Sequence, residues 1–381
     1  MTEHSDAGLC AGCVHGRLVE TARGSSFLFC RRSEIDPQYP RYPRLPMLRC
    51  RGYEAGSKPP AGFFWGRYWF LIALVIVVCA GISCPAGGQA LRRAGFVLPL
   101  LTASTLFISG LSLETSRLRF SAAGLGALGV GLGSIYGVAP IAAWFLALGI
   151  GPTVGGPDSE GYLFLEAVMI AAAQAGTIAS APALTMIARG NQALALGLTV
   201  ASNLLTVVAT PLVLQLSLGA IVSFPFVEMV WRMTRVVLLP VIVGQVVRRV
   251  AWERLRGALP ALRITSQAII LVFVYTGVSS AADHLTATPE LILRFFAVAA
   301  LLHLLLLGFA LGSSSLIGLD PPSRTALVFC GTQKTLPNGI YVWDRFFAAN
   351  PHGAIALVLY HVFQLVVDTL LVPWLARARS R

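Results

Sequence analysis

From about residue 67 onward, long apolar runs alternate with short polar segments, at 67–85, 94–113, 120–149, 162–188, 191–219, 226–247, 264–282, 291–318, 325–346 and 353–376. Roughly 20 apolar residues carry a helix across a bilayer, so the pattern predicts ten transmembrane helices within residues 63–381. Residues 1–62 are different: polar, rich in Arg and Pro, with no run long enough to span. They read as a small soluble domain with a linker, with no signal peptide expected ahead of it.

Composition sharpens this picture. Of 381 residues, 56% are hydrophobic and only 12% charged, and the mean hydropathy is +0.73. A soluble chain of this size does not carry that balance, so the fold class is an all-α polytopic membrane protein whose first partner is the lipid bilayer. A net charge of +12 would suggest nucleic acid in a soluble protein, but here the basic residues lie between the apolar runs and at the two ends. No nucleic-acid partner is expected. Alternate loops carry Arg117 and Arg119, Arg189, the group Arg248, Arg249, Arg254, Arg256 and Arg263, then Arg324, and finally Arg377, Arg379 and Arg381. The intervening loops hold Arg92, Arg93 and Arg345 beside the acids Asp158, Glu160, Asp283 and Glu290. The positive-inside rule then puts both termini in the cytoplasm, as for a bacterial-type inner-membrane protein.

An even set of runs divides into five plus five. In the fourth run Gly176 to Pro182 reads GTIASAP, and in the ninth Gly331 to Pro337 reads GTQKTLP, both fitting Gly-Thr-x-x-Ser/Thr-x-Pro. An odd number of spans in each half makes the second half enter from the opposite side, which predicts two inverted five-helix repeats. Gly and Pro interrupt a helix, freeing backbone carbonyls and N–H groups that lipid does not satisfy. Thr177, Ser180, Thr332, Gln333, Thr335 and Asn338 are placed to satisfy or supplement them, and half-helix N-termini offer positive charge to an anion. The alternative for the hydroxyls is a merely kinked helix, in which each bonds back to its own turn. Lys334 beside Gln333 in a span reads as a site, and both are expected to act in a cavity rather than to support the fold. The expected substrate is a small organic anion.

From Arg67 to Trp374 the chain resembles the bile acid:sodium symporter superfamily, in its divergent bile-acid-symporter-like branch. The residues that carry the resemblance are FISGLSLET at Phe107 to Thr115, ALTMIARGNQALAL at Ala183 to Leu196, ATPLVLQLSLG at Ala209 to Gly219, VGQVVRR at Val243 to Arg249, FCGTQKTL at Phe329 to Leu336, and the closing PHG and LYHVFQLVVDTLLVP. The resemblance implies a panel domain, a core domain, and two broken helices that cross in the core where substrate and sodium bind. Sodium is doubtful here. The positions of the family's cation ligands fall on Phe329, Pro182 and Ala195, which bring no side-chain oxygen, and Thr199 is the one match. Lys334 stands where an ammonium would repel a cation, so coupling to protons, or to nothing, stays open. A sensor that binds without transporting is the second functional class, and no nucleophile–base or metal constellation in the spans suggests an enzyme. A homodimer is compatible with all of this.

The head has its own chemistry. Cys10 and Cys13 form a C-x-x-C pair, with Cys30 and Cys50 following after 16 and 19 intervening residues. In a reducing compartment this suits a structural zinc or an iron–sulfur cluster rather than disulfides; free thiols in a disordered tail are the bland alternative. Phe27, Leu28, Phe29 and Leu45 are the expected minimal core, and His15 an incidental neighbour. Glu166, Arg235, His303, His361 and Asp368 lie in or near spans and are weaker candidates, His303 by itself reading as a satisfied polar residue rather than a relay.

Overall fold

Most of the apolar runs fold as helices whose ends fall at Gly, Pro and capping residues. The computed structural model describes residues 10, 13, 15–20, 26–36, 38–44, 47, 50–53, 62–113, 122–219, 225–287 and 289–377. Arg117, Arg119, Arg379, Arg381 and Leu45, used above for orientation and for the head's core, lie outside these residues. The chain divides into two compact units, Met1–Leu71 and Ile72–Arg381.

In the first unit β1 (Gly16–Glu20) pairs antiparallel with β2 (Ser26–Cys30), Gly16 opposite Cys30 and Glu20 opposite Ser26. A short 3-10 turn, Arg31–Glu34, follows. Leu28 is buried, whereas Phe27 is half exposed and meets Tyr42 edge-on. Of the expected core residues, Phe27 thus lies at the surface.

The helices begin with α1 (Gly62–Ser83) and α2 (Pro85–Arg93). Pro85 forces Cys84 out of helical backbone, and from Ile72 on the pair bends by 88°. Then come α3 (Val97–Ser112), α4 (Ala122–Gly133) and α5 (Ala139–Ile150), the last two joined through a π-turn at Ser134–Val138. They are followed by α6 (Glu160–Ala172), α7 (Ser180–Ile187) and α8 (Gln192–Leu218), with Ser159 and Asn191 capping α6 and α8. A second π-turn, Thr234–Leu238, joins α9 (Phe226–Met233) to α10 (Leu239–Leu255). The chain closes with α11 (Leu259–Ala287), α12 (Pro289–Leu316), α13 (Pro321–Cys330), α14 (Leu336–Phe346) and α15 (Gly353–Arg377). The sixth run was expected to end at 247; its helix continues to a kink at Ala251 and a last turn to Leu255, with Arg248 donating to Leu111 O at 2.9 Å.

Among the described residues five helices are long and apolar enough to cross a membrane, six with the bent pair. The remaining runs hold shorter or interrupted helices, α3, α6 with α7, α9 with α10, and α13 with α14. Close helix approach is clearest between α3 and α10, where a Cβ on Gly110 would lie 2.4 Å from Val241 O and one on Gly244 2.5 Å from Phe107 O. Only hydrogen fits there, as expected where membrane helices associate through small residues. One buried cluster joins α6, α12, α14 and α15, with Phe164 stacked on Phe295 at 4.2 Å, and a second joins α7, α8 and α13.

Candidate functional site

Two helices that their own Gly and Pro residues interrupt bring the site together. Residues 173–177 and 331–335, between α6 and α7 and between α13 and α14, are non-helical and buried. The two breaks touch, Thr335 N–H donating to Ala175 O at 2.8 Å. Every carbonyl freed in an apolar setting needs a donor. The four consecutive carbonyls of 173–176 each have one: Thr210 on Ala173 O at 2.6 Å, the Lys334 ammonium on Gln174 O at 3.1 Å, Thr335 N–H on Ala175 O, and Asn203 Nδ2 on Gly176 O at 3.0 Å. On the second break Tyr360 donates to Thr332 O at 2.9 Å, and Gln364 both donates to Lys334 O at 2.8 Å and accepts from Lys334 N–H at 2.7 Å.

Lys334 reaches one more carbonyl, Ile135 O at 2.6 Å. That oxygen is free for a local reason. In the π-turn Ala139 N–H bonds Ser134 O, and the next residue in line, Pro140, has no N–H to give. Two of the ammonium's three donors thus rest on orphaned carbonyls, and the side chain is only 2% exposed. Among the described residues no carboxylate forms an ion pair with it.

Gln333 ties the breaks together through its side chain. Its Oε1 accepts from Thr177 at 2.5 Å and from Ser180 at 2.7 Å, and its Nε2 donates to Asp368 Oδ2 at 2.6 Å. Thr177 Oγ1 in turn accepts from Ala181 N–H at 3.1 Å, closing the first turn of α7. Asp368 Oδ1 lies 3.0 Å from His303 Nε2. Thr177, Ser180, Gln333, Lys334 and Thr335 therefore meet at the crossing, and Asn338 borders it, donating to Gln174 Oε1 at 2.7 Å. Thr332 instead bonds back to Val328 O at 2.7 Å, the kinked-helix alternative, and Thr199 is buried beside the Cys330 thiol.

The model described as the SBF-like CPA transporter family matches residues 68–377. The chain belongs to this transporter family. It is 27% identical over 319 residues to the sodium/bile acid cotransporter 7 of Mus musculus, covering 81% of this chain and 92% of the relative. The corresponding protein 7-B of Xenopus laevis is 28% identical over 321 residues, 81% of this chain and 91% of the relative. An uncharacterized protein of Pseudomonas aeruginosa is 33% identical over 224 residues, 57% of this chain and 67% of the relative. This family member is a multi-pass membrane protein and a transporter rather than an enzyme.

Several residues of the transporter's crossing were not legible as such in the sequence. Thr210, Asn203, Tyr360 and Gln364 all donate to freed carbonyls, and the signal for the last two was available: Tyr360, His361, Gln364 and Asp368 fall on one face of α15 at helical spacing. Of the weaker candidates, His361 lies 3.4 Å from Lys334 O, Glu166 accepts from Asn350 at 2.8 Å, and Arg235 lies over the Trp231 ring at 5.3 Å. Against the crossing, beside Ile178, Thr199 and Asn203, the cavity measures about 10 Å³, room for roughly one water. A wider cleft of about 330 Å³ opens beside the start of α3, the second π-turn and the end of α14, and Arg232, Arg235, Tyr341 and Arg345 line it. Arg232 is also paired with Glu228 at 2.6 Å.

In the head, Cys13 N–H bonds Cys10 O at 3.5 Å and Gly16 N–H bonds Cys13 O at 3.0 Å, so the C-x-x-C turn leads directly into β1. Pairing of Gly16 with Cys30 brings the third Cys to the same end of the hairpin. All four thiols are free and half-buried. Burial, and after it the neighbouring thiolates of Cys50, Cys13 and Cys30, push the Cys10 thiol up. Among the described residues no group of three or more His, Cys, Asp and Glu side chains stands in an arrangement that would hold a metal ion.

Proposed function

We propose that the protein carries a small organic anion, a bile acid, steroid conjugate or carboxylate, across the bilayer by alternating access about the crossing. The observation that carries this reading is the pair of interlocked breaks in a chain of transporter family. In this reading ten spans form two inverted five-helix repeats with panel and core domains, and both termini face the cytoplasm of a bacterial-type inner membrane. The N-termini of α7 and α14 both begin at the crossing, where their dipoles favour negative charge. The guanidinium-lined cleft has the charge to attract an anion. The relatives named above are called sodium/bile acid cotransporters, but the side chains here favour a different coupling: Phe329, Pro182 and Ala195 bring no oxygen to a cation, and Lys334 holds an ammonium at the same crossing.

Binding of taurocholate, a sulfated steroid and citrate to the purified protein, with and without sodium, tests this. At least one anion is expected to bind, unchanged by sodium, and Arg232→Ala or Arg345→Ala to weaken it by roughly 10- to 100-fold where the guanidinium contacts the anion. Binding of none, or binding only with sodium, rejects the reading.

The head is proposed to hold one structural zinc, or an iron–sulfur cluster, on Cys10, Cys13, Cys30 and Cys50. The C-x-x-C turn that leads into β1 and the strand pairing that puts Cys30 at the same end of the hairpin support this, since four thiolates suit a tetrahedral ion. Elemental analysis of the full-length protein purified anaerobically is expected to give about one zinc, or iron with sulfide, per chain, lost in Cys13→Ala. A metal-free preparation with the head folded would sink the proposal.

A further inference from the structure

His303 and Asp368 are both completely buried, their side chains 0% exposed. A titratable pair inside a membrane protein is costly to keep there, and function is its default explanation. The hydrogen bonds around it constrain where protons sit. Tyr360 gives its only proton to Thr332 O at 2.9 Å, so toward His303 Nδ1, 3.4 Å away, its oxygen accepts and Nδ1 carries hydrogen. Asp368 Oδ2 accepts from Gln333, and Oδ1 faces His303 Nε2 at 3.0 Å. One proton must therefore lie between Nε2 and Oδ1, as imidazolium with carboxylate or as imidazole with carboxylic acid.

If that proton leaves, two acceptors confront each other. The ring's remaining hydrogen then belongs on Nε2, facing the carboxylate, and Nδ1 needs a donor. Tyr360 is the donor within reach, and it can serve Nδ1 only by letting go of Thr332 O, a carbonyl of the second break. Proton loss is thus transmitted to one break through Tyr360, while Asp368 reaches both breaks through Gln333, Thr177 and Ser180.

We propose that the His303–Asp368 pair is an exchangeable proton site and that its proton is the coupling ion of the transport cycle. The second half rests on the transport reading above; the first does not. Among the described residues, several other titratable groups lie on elements packed around the pair, and Cys330 is near enough to Asp368 to feel its charge. His361 Nδ1 lies 2.9 Å from Gln364 Nε2, Lys334 donates to carbonyls, Tyr136 donates to Ser202 O, Glu166 holds Asn350, and Cys330 lies against Thr185.

The test uses full-length protein in lipid nanodiscs with ¹⁵N-labelled histidine, the chain having six. His303 is assigned by its loss in His303→Gln and followed from about pH 5 to about pH 9. The expected result is a change of its ring from charged or proton-sharing to neutral within that range. In Asp368→Asn, which keeps the side-chain shape, the ring is expected to hold one state throughout, because the amide N–H then donates to Nε2 and no shared proton remains. A wild-type ring that holds one state across the range, or one indifferent to Asp368→Asn, overturns the proton site. Uptake of taurocholate into proteoliposomes, with and without an inward proton gradient, tests the coupling. Stimulation by the gradient in wild type, lost in Asp368→Asn, is the expected result, and equal uptake with and without the gradient overturns the coupling. No uptake under either condition, with the titration intact, would leave the proton site standing and reject transport of this anion.

Discussion

Lys334→Met is expected to destabilise the protein by about 2–6 kcal/mol, because it strands two buried carbonyls, each costing roughly 1–3 kcal/mol without a donor. The oxygens are Ile135 O, orphaned by the π-turn and Pro140, and Gln174 O, orphaned by the first break. Met keeps most of the stem and its packing, so the ammonium's hydrogen bonds are what the substitution removes. Thermal unfolding in detergent measures the loss. An unchanged melting temperature would mean that the ammonium does not hold these carbonyls. These bonds give Lys334 a part in fastening the crossing to the first π-turn, where the sequence led only to the expectation of a role in a cavity. If anion binding is lost as well in the folded fraction at low temperature, the third donor of the ammonium serves the substrate.

Asp368 should separate shape from charge. Asp368→Ala removes the acceptor of both Gln333 Nε2 and His303, and breaking a buried ionisable pair from one side costs about 3–5 kcal/mol. Asp368→Asn is expected to cost less than about 1.5 kcal/mol, since its oxygen still accepts from Gln333 and its amide faces the ring nitrogen. Denaturation of the two variants side by side decides. Equal losses would mean that the carboxylate charge, not the hydrogen-bonded shape, holds this part of the crossing.

Much of the protein's organisation follows from one-dimensional order. Apolar runs longer than a bilayer is thick cannot stay in water, so their number and the Arg bias between them determined a polytopic helical chain with a separate polar head. Gly176, Pro182, Gly331 and Pro337 determined where two of those helices break, because a missing Cβ or a missing N–H acts on the residue's own turn. Local chemistry also announced Gln333 and Lys334, since an amide and an ammonium have no place in lipid.

What the breaks do with their freed groups was decided only in three dimensions. Thr210 and Asn203 on α8, Tyr360 and Gln364 on α15, and the Ile135 carbonyl in the π-turn are far from the breaks in sequence, and nothing in their own neighbourhoods says which orphan each will meet. The same holds for His303, which alone reads as an ordinary buried polar residue and becomes half of a proton-sharing pair only because α12 packs against α15 at Asp368. Hydrogen-bond partnership between distant segments depends on helix packing, and packing among apolar surfaces is set by shape summed over many residues rather than by any motif.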